Sequence, residues 1–131
     1  MSAPDSAKLD AKKVATLLRR WDRIGIGIRC AYNPELPGAI RHYLAVGHQV
    51  IAAGVLPELT VQRRLLTVLL QAARDEALPW FWRSVCMEHA TLPLARLHSL
   101  LKCHDPIACH AVECAVQAIR DLLAVVPSRP Q

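Results

Sequence analysis

The stretch TVQRRLLTVLLQAARDEA, residues 60–77, decides the fold. Val61, Leu65, Val68, Leu69 and Ala72 recur at helical spacing, with Arg63, Thr67, Gln71 and Arg74 opposite. Such a pattern describes a helix with one face in a core and the other in water. A strand needs strict alternation, and the chain shows no sustained run of it; Gly25 to Ile28 is too short. Outward from this block, proline and glycine cut the remainder into pieces of helix length.

Toward the N-terminus, Pro37 to Gly54 forms a second such block. Ile40, Tyr43, Leu44, Gly47, Val50 and Ile51 share one face, and Pro37 suits a first turn. An earlier block starts near Asp5 or Ser6, either a good cap, and runs to about Arg23, where Gly25 and Gly27 are expected to end it. Ile26 to Pro37 is then the longest expected loop. Its Gly-Ile-Gly follows no strand and lacks the rest of a dinucleotide fingerprint, so it carries no phosphate-binding role.

Toward the C-terminus, Pro79 opens a short segment, Trp80-Phe81-Trp82, that leads to about His89. A helix from Thr91 or Leu92 to about Lys102 tolerates Pro93 because it lies in the first turn. Asp105 as cap and Pro106 as first residue start the last helix, which continues through Val126 and stops before Pro127. Residues 1–4 and 128–131 are expected to be disordered ends. Five or six helices on short connections predict an all-α fold, a compact bundle in a single domain spanning 1–131.

A chain of 131 residues has room for one core, and 53% of it is hydrophobic. That surplus predicts a self-association surface, with the chain itself as first partner and another protein as a second. No stretch reaches the roughly 18 consecutive apolar residues of a membrane span. The greasiest, Ala39 to Leu56, is broken by Arg41, His42, His48 and Gln49. The opening residues lack the apolar core of a secretory signal, and five cysteines, an odd number, fit reduced thiols. A cytoplasmic location is the expectation.

The net charge of +5 rests on twelve arginines and four lysines. On a wheel of the first block, Val14, Leu17, Leu18, Trp21 and Ile24 take one side. Lys12, Lys13, Arg19, Arg20 and Arg23 take the other, with Lys8 at its edge. Such a face is a solvated bundle surface or a seat for an acidic protein, anionic lipid or nucleic acid, although no nucleic-acid-binding motif accompanies it. Trp80 and Trp82 are expected as core or interface anchors. The segment Trp21-Asp22-Arg23-Ile24-Gly25 resembles a Trp-Asp-Pro-Ile-Gly-Val sequence of small bacterial proteins, with Arg23 in the proline's place. The likeness covers under a tenth of the chain and implies no activity.

The densest chemistry lies in KCHDPIACHAVEC, residues 102–114. His110 and Cys114 are four apart on one helix face, and Cys103 and His104 precede the cap, so the four would make a Cys2His2 set for zinc or copper. The His-x3-Cys spacing resembles one feature of copper-responsive helical repressors. The bland alternative makes Cys114 a small buried apolar residue and leaves the histidines in solvent, with no cofactor. Cys109 lies roughly 100° from His110 and is expected to stay out of that site. The last helix's apolar arc runs through Ile107, Ala111, Ala118, Leu122 and Val125, with Cys114 at its edge.

For catalysis, Cys86 with His89, or Cys109 with a nearby histidine, is the kind of pair that five cysteines and six histidines supply by chance. No hydrolase elbow, paired carboxylates or His-Glu-x2-His motif accompanies it, and His42 and His48 lie about 120° apart. The expectation is a non-catalytic helical interaction or regulatory protein that self-associates. Its competitors are a metal- or thiol-responsive regulator on Cys103 to Cys114 and a nucleic-acid binder on the first helix.

Overall fold

A computed structural model describes residues 3–125, with side-chain environments for 11–124. Among the described residues, six helices form an all-α bundle: α1 (Ala3–Cys30), α2 (Gly38–Ala52), α3 (Glu58–Arg74), α4 (Trp80–His89), α5 (Thr91–Leu101) and α6 (Pro106–Val125). The expected disordered ends lie outside the described residues, except residues 3 and 4, where α1 already runs. No described helix is long and apolar enough to cross a membrane.

The third helix is the hub, packing against every other helix. Its expected apolar stripe is inside: Val61, Leu65, Leu69 and Ala72 are fully buried, joined by Leu66 and Ala73. Trp21 from α1 and Tyr43 from α2 stack on this hub with ring centroids 5.8 Å apart. The Arg64 guanidinium lies 5.0 Å over the Trp21 ring, a cation held against an aromatic face. Glu58 in the first turn of α3 takes a two-pronged bond from Arg96 of α5, at 2.6 and 2.7 Å. This contact holds the Glu58 carboxyl below its ordinary range.

The first helix departs from expectation: it runs on through Gly25 and Gly27 to Cys30, leaving only residues 31–37 as loop. Gly25 is a notch rather than a terminator. A Cβ there would meet Cε1 of Tyr43 at 3.0 Å and its hydroxyl at 3.1 Å, so the glycine admits the ring that covers Trp21. Gly47 serves α2 alike, since a Cβ would lie 3.1 Å from Leu65 Cδ2. Helix-breaking cost is offset by close packing at both.

The real stop of α1 is Ala31, whose φ of 52° is left-handed. Tyr32 N–H then reaches back to the Gly27 carbonyl at 3.0 Å, closing the helix end. The second helix ends in the same way at Gly54, with a φ of 71°, where the conformation is free. For alanine it costs about 1 kcal/mol. Ala31→Gly is therefore expected to stabilise the fold by roughly 0.5 kcal/mol after the added freedom of the unfolded chain is subtracted. A higher urea midpoint at unchanged slope would show it; a lower midpoint would mean that the half-buried Ala31 methyl outweighs the strain.

Two consecutive residues of α4 tie other helix ends down. Trp82 Nε1 donates to the Ile28 carbonyl in the last turn of α1 at 3.0 Å, and Arg83 Nε donates to the Ala73 carbonyl in the last turn of α3 at 2.8 Å. Both acceptors lie among the last carbonyls of a helix, and that of Ile28 also takes the Ala31 N–H at 3.2 Å. Arg29 and Asp75 add an ion pair nearby at 2.7 Å. The fourth helix ends where Pro93, three residues past Ala90, lacks the N–H that would bond the His89 carbonyl and whose ring would strike it. The chain turns at Ala90 into α5, as expected from sequence.

Candidate functional site

The last helix starts as the sequence predicts. Asp105 Oδ1 accepts the Ala108 N–H at 3.0 Å, and Pro106 occupies the first helical position. Its orientation is not the expected one. Cys109, Val116 and Leu123 are buried, and Ala108, Val112 and Ile119 pack beside them. The arc through Ile107, Ala111, Ala118 and Leu122 faces outward, with Ile107 83% and Leu122 43% exposed; Val125 of that arc lies beyond the described side chains. Two apolar arcs compete for one core, and the arc with more branched and long side chains removes more surface from water.

The sixth helix thus has three faces. One is buried, one carries His110, Gln117 and Asp121, and the third is the outward stripe. Cys114 lies exposed within the stripe rather than buried as a small apolar residue. Its Sγ is 3.4 Å from His110 Nε2, so the predicted pair does meet. Cys103 and His104 are exposed in the preceding turn, and they do not join that pair as a set of three or more ligands among the described residues.

The set that does assemble was not the expected one. His98 of α5 and Cys109 and Glu113 of α6 bring an imidazole nitrogen, a sulfur and a carboxylate oxygen within 4.8 Å of one another. His98 Nδ1 meets Glu113 Oε2 at 2.5 Å, and Cys109 Sγ stands 3.4 Å from Nδ1 and 3.9 Å from Oε2. Burial first, and the neighbouring Glu113 carboxylate next, push the Cys109 thiol up from its ordinary value. The Cys86 thiol, enclosed in the core, is pushed up to about 12 by burial alone, which makes it a poor nucleophile. His89 Nδ1 meanwhile bonds the Val85 carbonyl, one turn back, at 3.0 Å.

The aromatic cluster divides. Trp82 is 1% exposed, so of its two expected roles it takes that of core anchor and is withdrawn as an interface or partner contact. Trp80, 39% exposed, and Phe81, 58% exposed, remain at the surface. Phe81, Val85 and Met87 line an open groove of about 500 Å³ whose other wall includes Arg120 of α6. On α1, Lys12, Lys13, Arg19, Arg20 and Arg23 are all exposed, as predicted, and none forms an ion pair among the described residues. The strip is open to an acidic surface, but nothing in it selects one.

The clue to His98 lay in geometry more than in motif. Cys109-x3-Glu113 puts two donors on one face, and the short turn of residues 102–105 folds α5 back beside that face. No family model matches the chain, and no curated protein or solved structure matches it either.

Proposed function

We propose that this protein is a non-catalytic interaction module that works as a pair of identical chains joined through α6. The observation that carries the reading is the outward stripe of Ile107, Ala111, Cys114, Ala118 and Leu122, left uncovered by the described residues. A second copy is the occupant that suits its order. Reversed about a point between Cys114 and Ala115, the stripe maps onto itself: Ile107 meets Leu122, and Ala111 meets Ala118. An antiparallel, two-fold pair needs such self-complementarity.

Large residues then sit at the two ends of a contact about 22 Å long, at 1.5 Å per residue. Small residues at its middle let the helix axes approach to about 8 Å. The thiol nearest the two-fold axis is Cys114. Mild oxidation of the full chain is therefore expected to give a covalent dimer through Cys114, because disulfides form when Cα atoms lie about 4.4–6.8 Å apart. Cys114→Ser should abolish that dimer, while Cys103→Ser and Cys30→Ser, also at exposed positions, should leave it. Equal loss in all three variants, or no dimer, would remove the antiparallel pairing.

A further inference from the structure

The structure assigns a metal site that the sequence pattern did not mark: we propose that His98, Cys109 and Glu113 bind a zinc-class divalent cation, with a fourth position left to water. The proposal does not rest on pairing through α6, whose outward stripe lies on another side of the helix from Cys109 and Glu113.

The donor atoms already hold most of the required shape. A tetrahedral zinc with bonds near 2.0–2.3 Å sets its donors about 3.4–3.6 Å apart. The sulfur–nitrogen edge is 3.4 Å and the sulfur–oxygen edge 3.9 Å. Only the nitrogen–oxygen edge, 2.5 Å, is too short, as two hydrogen-bonded groups must be. Opening it by roughly 1 Å admits the ion. The His98 and Glu113 side chains retain 49% and 42% exposure, so both have room to swing.

Chemistry and placement agree with the geometry. Sulfur, imidazole and carboxylate together suit zinc better than magnesium or calcium, which take all-oxygen shells. Cys109 and Glu113 are fixed one turn apart on α6, and Cys109 anchors the inner side while the two exposed ligands close from outside. On binding, the Cys109 sulfur coordinates as thiolate and its proton passes to solvent. A His98–Glu113 ion pair alone would also link α5 to α6, but it gives the Cys109 sulfur no part.

That difference supplies the test. Cobalt(II), then zinc, is added to the full chain kept reduced with a phosphine, and absorption is followed from the near ultraviolet to the visible. One cobalt per chain with a thiolate-to-cobalt charge-transfer band is expected, bleached when zinc displaces it. Cys109→Ser should lose the band, and His98→Gln or Glu113→Gln should weaken binding by about 100-fold or more, at least the loss seen when ligand-orienting partners are removed. Those two exposed positions keep the test decisive if Cys109→Ser fails to fold by circular dichroism. Cys114→Ser and Cys103→Ser should bind as the parent does. Absence of a stoichiometric band, its survival in Cys109→Ser, or unweakened binding in both His98→Gln and Glu113→Gln would overturn the assignment. Its loss in Cys114→Ser would overturn it too, moving the ion to the His110–Cys114 pair.

Discussion

Trp82→Ala is expected to cost about 4–5 kcal/mol, a large part of the roughly 5–15 kcal/mol that holds a domain of this size together. Two losses add. The indole is enclosed where α4 meets the end of α1, and its removal leaves a cavity that rigid neighbours fill only partly. The Ile28 carbonyl also loses the indole donor and keeps only the longer bond from the Ala31 N–H. Trp82→Phe separates the two losses, keeping much of the ring volume while giving up the hydrogen bond. It is expected to cost about 1–2 kcal/mol. Urea unfolding followed by circular dichroism reads both, and a Trp82→Ala cost below about 1 kcal/mol would mean that α4 does not anchor the bundle. Trp80→Ala, at a surface position, serves as the control in the same series.

The helix count and most helix ends were legible because prolines and caps act locally. Pro79, Pro93 and Asp105-Pro106 take effect within a turn of where they stand. Gly25 and Gly27 misled for the opposite reason. Whether a glycine ends a helix or admits a neighbour depends on Tyr43, eighteen positions further along. In the aromatic run, spacing held more than was read from it: Trp82 and Cys86 are four apart and both buried, whereas Trp80 and Phe81 fall off that face.

The site shows the same division. A helical wheel located an apolar arc on α6 but not which arc the core would take, because α3 and α5 decide that. Ile107, Ala111, Ala118 and Leu122 were grouped correctly and turned the wrong way. Pairing of His110 with Cys114 followed from helical periodicity alone. His98 escaped because its partners lie 11 and 15 positions away, across a turn whose angle no local pattern encodes.

The second large effect is expected at the middle of the outward stripe. In the proposed pair, Ala118→Glu would place a carboxylate opposite Ala111 of the facing copy, and the two-fold axis would make the change count twice. Burying two unpaired charges in one small contact should weaken pairing by about 3 kcal/mol or more, roughly 100-fold in affinity. Ala118 is exposed within the single chain, so the same change should leave the fold itself nearly untouched. A destabilised monomer is distinguished from a broken pair by the urea midpoint read at a loading low enough to dissociate the parent as well.

Sedimentation equilibrium of the reduced full chain, beside Ala118→Glu, tests self-association most directly. A mass of two chains is expected for the parent protein, falling to one chain in the variant at equal loading. A parent protein that stays at the mass of one chain at every loading, or a variant that keeps the mass of two, would contradict pairing through α6.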